Sequence, residues 1–108
     1  MIGTDNIESI HNTAVSAAQK AEAEFRAKHG EPFYCGFAWV NVPVKASTKL
    51  GRALKEIGFR KSYYGGLDFW NPGGSHTQSM DIKEAGAHAY AETLRSFGIE
   101  AHAMSRAD

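Results

Sequence analysis

Residues 70–81 read WNPGGSHTQSMD, and they gather side chains able to hold a small polar ligand. Gly73 and Gly74 remove side-chain bulk, so a ligand can approach the backbone. Ser75, Thr77 and Ser79 offer hydroxyls, His76 an imidazole, and Asn71 and Gln78 amides that both donate and accept. The segment leads into a helix, and unpaired N–H groups at a helix N-terminus attract anions. Asp81 and Glu84 already bring negative charge to that end, which argues against a simple phosphate site. The glycine spacing is neither a Walker loop nor a dinucleotide-binding fingerprint. Two readings stand side by side: a loop with a helix cap, or a ligand-contacting loop that reads a base or ribose at least as much as a phosphate.

A second set mixes aromatic and basic residues. Arg60, Lys61, Tyr63 and Tyr64 lie in FRKSYY, and Phe69 and Trp70 in LDFWN. Aromatic rings stack on bases while Arg and Lys meet phosphates, so such mixtures recur where nucleotides bind. Strand alternation puts Arg60 with Tyr64 on one face and Lys61 with Tyr63 on the other. Core aromatics with basic ends that reach out to water are the plainer explanation. Arg106, near the chain end, is a further candidate phosphate partner.

Catalytic and metal chemistry find less support. No pair among the five histidines has HxxxH or HxH spacing, and Cys35 is the lone cysteine, so no metal or cofactor is expected. His88 falls off the apolar stripe of its helix. His76 is the one candidate general acid or base, for a phosphodiesterase, but it has no adjacent nucleophile–base partner in sequence. The expectation is a binding protein with no catalytic set.

The bulk properties narrow the setting. A chain of 108 residues, 43% hydrophobic and 22% charged, suits one globular domain with a small core. Twelve basic and twelve acidic residues cancel, which argues against non-specific binding to polymeric nucleic acid. A single cysteine suits a reducing compartment, and the N-terminal MIGTDNIESI has neither the basic nor the apolar region of a signal peptide. No apolar run approaches membrane-spanning length. A cytoplasmic location is expected.

The elements that position these residues follow from periodicity and punctuation. Thr4 or Asp5, with Glu8, caps a helix whose stripe is Ile7, Ile10, Ala14, Ala17, Ala21 and Phe25. Gly30 and Pro32 end it. It lies on its own domain or serves to form an oligomer. YCGFAWVNV, 34–42, is the strongest strand. Its two faces, Tyr34/Gly36/Ala38/Val40/Val42 and Cys35/Phe37/Trp39/Asn41, are both largely apolar, so a central strand covered on both sides is expected, one side by the domain's own helices and the other by the N-terminal helix, a second subunit or a ligand. Ser47 or Thr48 opens a short helix that Gly58 stops. Strands at 59–64 and 67–71 flank Gly65-Gly66, a hairpin signal. Asp81 with Glu84 caps a helix with stripe Ile82, Ala85, Ala89, Thr93, Leu94 and Phe97, and IEAHAM, 99–104, is the last strand. The order after the first helix is β-α-β-β-α-β. It predicts an α+β, ferredoxin-like, four-stranded antiparallel sheet with an added N-terminal helix. The whole chain, 1–108, reads as a single domain, with the helix in 1–30 and the α+β core in 33–108. RNA-recognition domains share this order, but GGLDFWN is a poor match to their third-strand motif.

At GFAWVNV (36–42) and SHTQSMDIKEAGAHAYAETLRSFGIEAHAMSRAD (75–108), the chain resembles a group of small bacteriophage proteins, over roughly residues 33 to 108. It also resembles the phage anti-CBASS sponge proteins. That resemblance implies sequestration, without cleavage, of the cyclic dinucleotides used as bacterial alarm signals, such as a cyclic GMP–AMP type signal, by a homo-oligomer in the host cytoplasm. It assigns no residues. The expected ligand contacts, Arg60, Lys61, Tyr64, Trp70, Asn71, His76, Thr77, Gln78, Ser79 and Arg106, come from side-chain chemistry alone. A protein- or nucleic-acid-interaction module is the remaining alternative.

Overall fold

The structure is a computed structural model that describes residues 6–108. Helix α1 (Ile7–His29) precedes β1 (Gly36–Val42), α2 (Lys49–Glu56), β2 (Arg60–Lys61), β3 (Leu67–Trp70), α3 (Met80–Ser96) and β4 (His102–Ala107). The strands form one sheet in the order β2-β3-β1-β4, with every neighbouring pair antiparallel. This is the expected ferredoxin-like arrangement with one helix added in front.

Alternation along β1 sorts its side chains as expected. Gly36, Ala38, Val40 and Val42 are buried, while Phe37, Trp39 and Asn41 are exposed or half-buried on the opposite face. The buried side faces the helices. There Val40 and Val42 join Leu54, Phe59, Leu67, Tyr90, Leu94 and Ile99 in the core. No described residue of the chain supplies cover for the second face: Phe37 is 37%, Trp70 45% and Met104 46% exposed. The N-terminal helix does not supply it. α1 packs against α3 in the helical layer. Its His11 ring meets Phe69 of β3 edge-on, with ring centroids 5.2 Å apart.

Thus α1 belongs to the core. Ile7, Ile10, Ala14, Ala18 and Glu22 are its buried positions, so the burial path departs from the expected stripe after Ala14. Ala17, Ala21 and Phe25 border an open groove instead. Residues 17 and 18 are both alanine, so hydropathy does not choose between them; the path along α3 does. The Thr4/Asp5 cap lies outside the described residues, and Asn6 occupies the N-cap position of α1. α2 starts as expected, with Thr48 Oγ accepting from the Gly51 N–H at 3.0 Å.

Three boundaries move. Residues 62–64 are a turn and not strand: Ser62 N–H donates to Gly66 O at 3.0 Å, and Gly65 and Gly66 both have positive φ. α3 starts at Met80 with Ser79 at the N-cap position, so Asp81 is inside the first turn. Glu84 does not cap; it accepts from Ser105 Oγ at 2.6 Å. The inward face of α3 is Ile82, Lys83, Gly86, Ala87, Tyr90, Ala91 and Leu94, whereas Ala85, Ala89 and Thr93 are half-buried and Phe97 is exposed. β4 begins at His102 and carries Arg106 inside the strand, opposite Phe37. No helix among the described residues is long and apolar enough to cross a membrane.

Candidate functional site

The uncovered sheet face is the candidate that brings expected aromatic and basic residues together. Register builds it. Trp39 of β1 lies opposite Trp70 of β3 and Met104 of β4, Asn41 opposite Asp68 and His102, and Phe37 opposite Arg106. Opposed residues in an antiparallel pair share a face, so these side chains converge. The two indoles stack, with centroids 4.4 Å apart and planes at 19°. The Phe37 ring meets Trp70 edge-on at 6.1 Å. The Arg106 guanidinium sits 5.9 Å from the Phe37 centroid. Lys83 Nζ, buried at the start of β1, lies 5.4 Å from the same ring and donates to Gly36 O at 3.1 Å.

A cleft of about 580 Å³ opens on this face, bordered by Lys61, the Tyr63–Tyr64 turn, Trp70, Met104 and Arg106. Trp39, Asn41 and Asp68 also line it. That volume is in the range of small-molecule sites. Its chemistry is of three kinds: flat aromatic surface, two cations, and a polar pair. Asn41 Nδ2 donates to Asp68 Oδ1 at 2.8 Å and to Gly65 O at 3.0 Å, so one amide links the sheet to the hairpin turn. Gly66 is needed there, since a Cβ would approach Val42 O to 2.6 Å.

The ten expected contacts divide. Lys61, Tyr64, Trp70 and Arg106 border the cleft. Arg60 lies opposite Asp68 in register but sends Nη1 to Phe59 O at 3.1 Å. Asn71 and residues 76–79 do not line this cleft; the loop that holds them folds on itself beside it. Asn71 has φ 50°, donates from its N–H to Ala38 O at 3.0 Å, and from Nδ2 to Ser75 O at 2.8 Å. Ser75 Oγ accepts from Thr77 N–H, and Thr77 Oγ from Ser79 N–H, at 3.2 and 3.0 Å. These hydroxyls fold the loop. Thr77 and Ser79 are buried, while His76 and Gln78 are exposed. Among the members of the cleft that escaped sequence reasoning are Trp39, Asn41, Asp68 and Met104. Alternation already placed Trp39 and Asn41 together on the outward face of β1; only the register brings Asp68 and Trp70 to them.

Beneath the loop lies Glu22, 3% exposed on α1. Its carboxyl fills the space that a Cβ on Gly73 or Gly86 would need. Burial pushes its pKa up to about 7 against the opposing influence of Arg26 and Lys83. Glu22 Oε2, Asn71 Oδ1 and Ser79 Oγ are buried without hydrogen-bond partners among the described residues. His11 Nδ1 lies 2.7 Å from Tyr90 Oη; burial lowers the His11 pKa, with Glu8 opposing, and raises that of Tyr90. No group of three His, Cys, Asp or Glu side chains among the described residues is arranged to hold a metal ion.

No protein-family model, curated protein or solved structure matches the chain.

Proposed function

We propose that the protein binds a cyclic dinucleotide on its open sheet face and sequesters it without cleaving it. The observation that carries this reading is the Trp39–Trp70 stack in a cleft bordered by Lys61 and Arg106. Indole faces accept bases of any sequence, and a guanidinium meets a phosphate with two parallel hydrogen bonds. A cyclic dinucleotide carries two bases and two phosphates, so it uses both kinds of group at once. The resemblance of 36–42 and 75–108 to phage proteins supplies the setting: a homo-oligomeric immune-evasion protein in the host cytoplasm. Sequestration asks for no catalytic set. His76, exposed on the loop, makes no side-chain hydrogen bond among the described residues, so a phosphodiesterase would have to recruit its partner groups elsewhere. A single RNA strand stacks by the same chemistry, but the zero net charge supplies little phosphate attraction for a polymer.

Both tryptophans of the chain are in the cleft, so selectively excited tryptophan fluorescence reports on this site. Titration with a panel of cyclic dinucleotides is expected to quench it saturably. Heating the complex and chromatographing the supernatant then returns intact ligand. Linear product in place of the cyclic compound would establish turnover and replace sequestration by catalysis. No quenching by any of the panel removes the reading.

A further inference from the structure

We infer that the Asn41–Asp68 pair makes the open face selective for guanine. The inference rests on the nucleotide reading of the same face and specifies which base it takes. Asn41 has two amide protons, and both are used: one on Asp68 Oδ1, one on Gly65 O. The two acceptors also fix which end of the amide is nitrogen. The atoms this leaves free on the pair, both of whose residues line the cleft, are acceptors only, namely Asn41 Oδ1 and Asp68 Oδ2. Neither has a protein donor among the described residues. Arg60, opposite Asp68 in register, donates to Phe59 O, and no ion pair to the carboxylate is present among the described residues. Asp68 is 8% exposed, and what it exposes lines the cleft beside the indoles.

A base stacked on Trp39 or Trp70 brings its Watson–Crick edge within range of this pair, because Asn41 and Asp68 are the next outward residues on the same two strands. Guanine offers two adjacent donors there, N1–H and the N2 amino group. Adenine and cytosine each set a ring-nitrogen acceptor beside their amino group, and that lone pair would face the carboxylate. Uracil has one N–H between two carbonyls. Guanine alone meets an acceptor-only surface with donors. A site built to hydrogen-bond a group rejects analogues that lack it, because its own polar atoms are then left unpaired. A well-placed bidentate pair discriminates by roughly 10- to 100-fold.

The test is a fluorescence titration with cyclic di-GMP, cyclic di-AMP and cyclic di-IMP, in which hypoxanthine keeps N1–H but lacks the amino group. Expected is an order of cyclic di-GMP, then cyclic di-IMP, then cyclic di-AMP, with about tenfold or more between the extremes. Asp68→Asn is expected to shrink that ratio to about threefold or less, chiefly by weakening cyclic di-GMP. Equal affinities for wild-type protein overturn the guanine assignment and leave the sheet-face reading intact. Binding of none of the three overturns the guanine assignment, and the wider panel then decides the sheet-face reading. Retained selectivity in Asp68→Asn removes Asp68 from the role, and the wild-type series decides the base preference even where that variant fails to fold.

Discussion

Trp39 and Trp70 come from different strands and meet because β1 and β3 pair in one register. Trp70 is the more exposed and contacts Phe37 and Trp39. Its replacement removes stacking surface without opening the core, which lies on the other face. Trp70→Ala is therefore expected to weaken cyclic dinucleotide binding by about 1–3 kcal/mol, the usual worth of one stacked base. Its effect on thermal unfolding should be smaller. Trp39 remains as the fluorescent reporter, so the same titration applies. Arg106→Ala should act differently. It removes charge, so the salt dependence of binding should flatten, whereas Trp70→Ala should leave that slope unchanged. Equal slopes for wild type and Arg106→Ala would take the guanidinium out of the phosphate site.

Between elements, Glu22 joins α1, α3 and the 71–79 loop at one point, in space left by Gly73 and Gly86. Its pKa is raised from 4.5 to about 7, mainly by burial. Between those values the folded chain keeps a proton that the unfolded chain has released. Stability therefore falls as pH rises across that window and levels off above about pH 7. The loss is at most about 3–4 kcal/mol, since each pKa unit is worth about 1.4 kcal/mol and the net shift already includes the opposing Arg26 and Lys83. His11, whose pKa burial lowers, works the other way, losing stability as pH falls through its ordinary 6.5. Glu22→Gln isolates the carboxyl. Its melting temperature should exceed that of wild type more at pH 8 than at pH 5; a constant difference would show that Glu22 does not titrate in this range. This cluster was not legible in sequence, because Glu22, Gly73 and Gly86 have no periodic relation. The elements were legible where local chemistry decides: Thr48 as a cap, Gly65-Gly66 as a turn, alternation in β1. They were misplaced where two residues serve equally well, as with Ala17 and Ala18. The cleft was half legible for a related reason: side-chain type identifies Lys61, Tyr64, Trp70 and Arg106, but strand register recruits Trp39, Asn41 and Asp68.

At the scale of the molecule, the sheet ends at β4, whose outer edge pairs with no strand among the described residues. Asp108 N–H donates to Cys35 O at 3.1 Å, while Asn71 N–H reaches Ala38 O and Gly36 N–H reaches Gln78 O. The backbone of odd-numbered β1 residues thus points toward β4, and that of even-numbered ones toward β3. In the observed register, His102, Met104 and Arg106 turn their backbone groups to β1, and Ala103, Ser105 and Ala107 turn theirs outward. An edge of this length with no proline and one Lys or Arg, Arg106, invites another strand. A second copy fits it by symmetry. A two-fold axis normal to the sheet pairs β4 antiparallel with itself and keeps both open faces on one side. With Ala103 opposite its own equivalent, Arg106 lies opposite Glu100 of the second copy, so the register is charge-complementary. Wild-type protein is accordingly expected to sediment as a dimer at the concentrations used for ligand binding. Ser105→Pro deletes an outward N–H and should yield monomer. Ser105→Ala removes only the hydroxyl that donates to Glu84, and should stay dimeric. A dimeric Ser105→Pro would move the interface away from β4, and a monomeric wild type would mean that each cleft works alone.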